Sequence, residues 1–268
     1  MSQKEKIASP DVAAAEATDK LRFPPQVGDN ITLTTPQWTF SDGTAEHFDE
    51  HVSRSVPGYQ DGHDVIAQLS DFFATPGSRI VEVGCSTAAL TAKLAERHLH
   101  ADVKFLGIDI VSEMVAQARQ RCNALPNVNI ELGDALRIDY SDCSLVVMYY
   151  TLQFVAPHKR PNLIRRICSE MLPGGALVLF EKTRLPEPHL QDIFNQCYEE
   201  FKVTRGFSSD EILGKARSLR SVLEPFTSAE NIAMLKQAGF ARTELIHKNL
   251  AFEGLIGVKP VVTAGGES

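Results

Sequence analysis

From residue 79 onward, short apolar runs alternate with segments in which apolar residues recur every three or four positions. The run 79–84 (RIVEVG) is rich in β-branched residues and stops at a glycine, which predicts a strand. Between 86 and 98, Leu90 and Leu94 fall at helical spacing, with Leu99 just beyond. A second strand is predicted at 103–109 (VKFLGID). It is followed by a helix at 112–124 that Ser112 would cap, with Met114, Val115 and Ala118 on one face. A third strand is predicted at 128–132. The stretch 144–150 (SLVVMYY) is almost continuously apolar, as a strand buried on both faces should be. A helix at 160–171 is stopped by Pro173-Gly174-Gly175, and a fifth strand follows at 176–181. Strands alternating with helices predict βαβ units on a parallel sheet, and right-handed crossovers make it a doubly wound α/β sandwich.

The flanks read differently. Two helices are expected at 45–55 and 62–73, ahead of the first strand. Residues 185–226 are amphipathic and helical without a strand, an insert serving as a lid or a dimer arm. A helix at 228–238, capped by Ser228 and stopped at Gly239, leads into an antiparallel pair at 241–248 and 250–258. The division expected is a loose polar arm at 1–36, a domain at 37–260 and a tail at 261–268. The arm carries Pro10, Pro24, Pro25 and Pro36, with a short helix at 11–20.

Composition narrows the partners. The chain has 268 residues and a formal charge of −7, with 43% hydrophobic residues, which suits one large globular domain. The acidic balance argues against a nucleic-acid partner. No apolar run reaches the roughly 20 residues of a membrane helix, and no signal sequence opens the chain. The five cysteines are odd in number and never in CxxC spacing, so reduced thiols and a cytoplasmic location are expected. His47 and His51 have the i, i+4 spacing of a metal pair but no third ligand in view, so no metal is expected.

The candidate chemistry lies at the strand ends. Glu82-Val83-Gly84-Cys85-Ser86 places an acid and a glycine where a strand turns into a helix. Only one glycine is present, so the dinucleotide fingerprint GxGxxG is absent and a pyrophosphate is not expected. Asp109 ends the second strand, where a carboxylate can accept from both ribose hydroxyls. Asp134-Ala135 follow the third strand and can read an adenine edge. Glycine and acids at three successive strand ends form an ordered set. Together with Leu172-Pro-Gly-Gly175, it resembles the class I S-adenosylmethionine (SAM) methyltransferase fold over residues 75–258. That fold is α/β and Rossmann-like, with a mostly parallel doubly wound sheet, here carrying N-terminal helices and a helical insert.

A narrower resemblance extends from residue 37 to 259. Trp38-Thr-Phe40, Arg54-Ser-Val-Pro-Gly-Tyr59, Gly84-Cys-Ser86, Thr151-Leu-Gln-Phe154, Gly174-Gly-Ala-Leu-Val-Leu179 and Glu181-Lys182 are similar to the carboxy-SAM synthase family. The resemblance implies that Tyr59, Gly84, Cys85, Ser86, Asp109, Ile110, Asp134, Ala135 and Tyr149 contact SAM. It implies a homodimer that carboxylates SAM with prephenate, for tRNA wobble-uridine modification. Cys85 is expected to serve through its backbone and small size, not as a nucleophile.

Three positions depart from the family. Tyr149 stands where the family has Asn. Ala216 stands where it has an Arg for the new carboxylate, with Arg217 one residue on. Ala88 replaces a glycine. Tyr149, Tyr150 and Tyr59 are therefore the catalytic candidates, and Trp38, Phe40, Phe154 and Arg217 the substrate-binding ones. Aromatic faces attract a sulfonium at about 0.5–2 kcal/mol each. Such a pocket suits intramolecular attack of the SAM amine on its own γ-carbon, giving azetidine-2-carboxylate and methylthioadenosine. In this scheme the Tyr149 hydroxyl orients the amine or relays its proton. Methyl transfer to a small-molecule acceptor and true carboxyl transfer from prephenate remain open alternatives.

Overall fold

The computed structural model describes residues 44–261 apart from Ser221. The expectations for the arm, for Trp38 and Phe40, and for 262–268 lie outside the described residues.

Seven strands form one sheet: β1 (Ser78–Val83), β2 (Val103–Asp109), β3 (Val128–Leu132), β4 (Cys143–Tyr149), β5 (Ala176–Lys182), β6 (Arg242–Asn249) and β7 (Phe252–Val258), in the order β3-β2-β1-β4-β5-β7-β6. β1 to β5 pair in parallel, whereas β7 runs antiparallel to both β5 and β6. The winding reverses between β1 and β4, so a crevice opens beyond their carboxyl ends, where such sheets bind ligands.

Alternation along the strands builds two cores. Val81, Val146, Met148, Leu177 and Leu179 face one side, against Leu163, Ile164 and Ile167 of helix α5 (Arg160–Glu170) and Met234 and Leu235 of α8 (Ser228–Ala238). Ile80, Leu145, Val147, Val178 and Phe180 face the other. They meet Ile66 of α2 (Tyr59–Ser70) and Leu90 and Leu94 of α3 (Ala89–Arg97). All seven residues of β4 are buried, as its unbroken apolar run requires. Each such side chain contributes about 1.5–3 kcal/mol of burial.

Helix ends differ from the expectations for local reasons. Thr227, not Ser228, is the cap of α8, because Glu230 lies three residues beyond it and completes a reciprocal capping box. Helix α4 (Ser112–Arg121) has Val111 at its cap position, and the Ser112 hydroxyl bonds Glu113 instead. It ends short of 124 because Pro126 excludes Leu125 from helical backbone. Helix α3 begins three residues late, since Ser86 and Ala88 both take left-handed φ, 50° and 58°. α2 begins at Tyr59 directly after Gly58, so it follows closely on α1 (Thr44–Ser55). The insert is a helix pair, α6 (Pro188–Thr204) and α7 (Ser209–Ser218), joined through Gly206.

Candidate functional site

The crevice at the β1–β4 reversal is the mouth of a cavity of about 850 Å³, lined by strand ends, α1, α2 and the insert. Its floor is the turn after β1. The N–H groups of Gly84 and Cys85 both donate to the Ile108 carbonyl, at 2.7 and 2.9 Å, which pins the turn to β2. Gly84 has φ 71°, and a Cβ there would fall 2.5 Å from Thr151 Cγ2. Thr151 is itself fixed, its hydroxyl donating to the Val83 carbonyl at 2.9 Å.

Asp109 ends β2 with one carboxylate oxygen accepting from Ser86 N–H at 2.8 Å and the other from Val111 N–H at 2.9 Å. Each oxygen keeps acceptor capacity for a ligand hydroxyl. Burial raises this carboxyl above its ordinary range, and those backbone N–H groups pull it down. Asp134 accepts from Leu136 N–H at 2.9 Å, and the Ala135 carbonyl accepts from the Tyr140 hydroxyl at 2.9 Å. Gly84, Cys85, Ser86, Asp109, Ile110, Asp134 and Ala135 all line the cavity, so the residues drawn from three strand ends meet in one place. Cys85 is buried and its thiol is pushed far up by desolvation, which removes it as a nucleophile.

The opposite wall is aromatic. The Tyr149 ring has neighbours at centroid distances of 5.0 Å (Tyr59), 4.8 Å (His63), 4.8 Å (Tyr150) and 4.9 Å (Phe180). Phe252 extends the wall, 5.9 Å from Tyr150. Burial lowers His63 to about 4, so the wall is uncharged at neutral pH. Phe154 also lines the cavity, from the short turn Leu152–Phe154.

Two expectations change. The Tyr149 hydroxyl is not offered as a proton relay: it donates to the Tyr59 backbone carbonyl at 2.5 Å. Burial raises its ionisation well above the ordinary phenol value. Gly62 of α2 leaves room for that hydroxyl, because a Cβ at 62 would overlap it and come within 2.9 Å of Phe180. Arg217 is exposed and does not line the cavity, whereas Ala216 and Arg220 of the insert do. Of the i, i+4 histidines, His51 lines the cavity. His51 accepts from the Lys215 ammonium, and burial with Lys215 and Arg54 pushes it down to about 2.

Several charged groups on the cavity were given no role of their own from the sequence, among them Glu82, Lys182, Lys202 and Lys215. Glu82 accepts from the Thr91 hydroxyl and is pushed up to about 8 by burial. Lys182 closes β5, one residue beyond Glu181 and the apolar run 176–180, much the same positional signal that marks Asp109. Lys202 carries no signal, because a lysine on an amphipathic helix reads as solvated.

Comparison with known proteins agrees with this geometry. A family model described as a methyltransferase domain matches residues 80–175. The carboxy-S-adenosyl-L-methionine synthase of Sulfurimonas denitrificans is 33% identical over 228 residues, covering 83% of this chain and 95% of that protein. The Klebsiella pneumoniae enzyme of the same name is 32% identical over 225 residues, covering 83% and 91%. Among solved structures, human N-acetylserotonin methyltransferase in complex with SAM superposes with a TM-score of 0.57 at 18% identity. That match covers 82% of this chain and 57% of the human one. Magnesium protoporphyrin IX methyltransferase from Synechocystis with bound SAM gives 0.52 at 16% identity, covering 82% and 87%.

Proposed function

The chain belongs to the carboxy-S-adenosyl-L-methionine synthase family of SAM-dependent enzymes, and on that premise we propose that it acts on SAM alone, closing the methionine chain to azetidine-2-carboxylate. The observation that carries this reading is the tyrosine ring at the end of β4, set within an aromatic wall, where the family has an asparagine amide. In the insert, Ala216 offers the cavity a methyl group where the family's arginine would hold a transferred carboxylate.

In this reading Asp109 accepts from the ribose hydroxyls. Asp134 and the Ala135 backbone take the adenine edge, and Ile110 packs beside it. The Gly84-Cys85-Ser86 turn underlies the methionine portion. Tyr59, Tyr149 and Tyr150 face the sulfonium. The amine loses one proton, attacks the γ-carbon, and the Cγ–S bond breaks with its electron pair staying on sulfur. Neutral methylthioadenosine and the four-membered amino acid result. Glu82 is the base: its pKa of about 8 is close to that of an aliphatic α-amine, and such matching favours proton transfer. Holding both reacting atoms of one molecule in a dry pocket supplies most of the acceleration.

Mass spectrometry after incubation with SAM alone should show methylthioadenosine and azetidine-2-carboxylate in equal amounts. Only the Glu82 carboxylate accepts a proton, so the rate should rise as pH rises through about 8. A flat profile would remove Glu82 from this role. Unchanged SAM would end the cyclase reading. A product seen only with prephenate or a methyl acceptor would establish the second reading, group transfer, which the cationic lysines of the cavity favour.

The family resemblance also supports a cytoplasmic homodimer. Leu190, Ile193 and Cys197 form an exposed stripe on α6 suited to a second copy. Light scattering should give twice 29.5 kDa, and a monomer mass would refute it.

A further inference from the structure

Two ammonium groups, one buried and one half-buried, lie on the insert side of the cavity without a carboxylate paired to either. Lys202 of α6 is only 7% exposed. Its Nζ lies 4.4 Å from the ring centroid of Tyr198. Lys182, at the end of β5, approaches the same ring at 4.7 Å and Phe252 at 5.8 Å. Among the described residues neither lysine makes an ion pair. Glu199 is the one acid whose field reaches both, and it does so without a salt bridge. Tyr198 cannot turn aside, because its hydroxyl donates to the Ser55 carbonyl at 2.8 Å.

Burying an ammonium costs several kcal/mol unless an anion or hydrogen bonds offset it. Contact with aromatic faces returns only about 0.5–2 kcal/mol. Here two such groups share one ring, and desolvation, with repulsion from Lys202 added, pulls Lys182 down to about 8. Both side chains line the cavity wall, so a ligand can supply the missing negative charge.

We infer that Lys182 and Lys202 form a carboxylate-binding subsite beside the aromatic wall. A carboxylate has only acceptors to offer, on two oxygens, and so can receive from both ammonium groups at once. It comes either from the α-carboxylate of SAM or from a separately bound acid. The inference rests on reading the cavity as the SAM site and not on the cyclisation chemistry.

Isothermal titration of the full chain tests it, with SAM, decarboxylated SAM, and prephenate added to SAM-saturated protein. Lys182→Met and Lys202→Met should each weaken SAM binding tenfold or more and leave decarboxylated SAM within twofold, which assigns the α-carboxylate. If SAM binding is instead unchanged and prephenate binding drops tenfold or more, the separate acid is assigned. Lys182→Arg and Lys202→Arg should keep most of the affinity. Wild-type binding of both SAM and prephenate by the methionine variants would overturn the subsite. So would equal losses for SAM and decarboxylated SAM, the mark of a packing role. Should the variants fail to fold, the wild type decides: equal affinity for SAM and decarboxylated SAM, with no prephenate binding, also overturns it. Loss of the cyclase reading alone would appear as absent methylthioadenosine with carboxylate discrimination intact.

Discussion

Tyr149→Asn should lower methylthioadenosine release from SAM alone by at least about a hundredfold, whereas Tyr149→Phe should stay within about tenfold. A hundredfold loss corresponds to about 2.7 kcal/mol of barrier. Two losses add up to that size. The ring's attraction for a cation is worth about 0.5–2 kcal/mol. Its removal also opens a space among Tyr59, His63, Tyr150 and Phe180, all within 5.0 Å by centroid, which water would enter. A hydrated, loosely held methionine chain forfeits the proximity on which ring closure depends. The phenylalanine variant keeps the wall and gives up only the bond to the Tyr59 carbonyl, worth about 1 kcal/mol. Because asparagine also removes packing, melting temperature and SAM affinity must be measured beside turnover. SAM is itself a cation, so affinity should fall by the lost ring contact, about two- to thirtyfold, and no further, since the ribose and adenine ends are held elsewhere. Equal damage from Phe and Asn would return the role to the hydroxyl. Full activity of Tyr149→Asn would take the residue out of the mechanism.

The difference between ring and hydroxyl explains how far the sequence could be read. Gly84, Asp109 and Asp134 were legible because each follows a run whose length and apolar content mark it as a strand. Position at a carboxyl end in a doubly wound sheet is position at the ligand. Tyr149 and Tyr150 were legible by the same rule. The direction of the Tyr149 hydroxyl was not, because it depends on Gly62, a residue of another helix far upstream, leaving space for it. The insert shows the same limit. Its helical character follows from amphipathic spacing, but which face covers the cavity is a packing outcome. Arg217 therefore stays outside while Ala216 and Arg220 line the wall. Lys202 is hidden for a related reason: only the burial of its helix face distinguishes it from a solvated lysine. Local conflicts at α3 belong here too. Ala88 occupies left-handed backbone, a strain of about 1–2 kcal/mol. It is held there by the turn after β1, in which its N–H donates to the Cys85 carbonyl at 2.7 Å.

That turn is the setting for Gly84→Ala, which should destabilise the protein by about 3 kcal/mol and weaken SAM binding more than about a hundredfold. At φ 71° an alanine bears a left-handed penalty of about 1–2 kcal/mol. The new methyl also meets Thr151, 2.5 Å from Cγ2 and 3.0 Å from Cβ, an overpacking that typically costs about 1–3 kcal/mol. Thr151 cannot swing away without surrendering its bond to the Val83 carbonyl. If the loop moves instead, it strains the two N–H bonds that Gly84 and Cys85 make to Ile108. It also draws Ser86 N–H away from Asp109. The strain thus passes directly into the carboxylate assigned to the ribose, which is why affinity should fall along with stability. Thr151→Ala in the same chain removes the Oγ1 and Cγ2 contacts but leaves the backbone penalty. The double variant should therefore regain part of the melting temperature and only part of the binding. Calorimetry with SAM and a thermal melt on Gly84→Ala, Thr151→Ala and the double variant separate these effects. Wild-type affinity in Gly84→Ala would mean that the ligand does not rest on this turn.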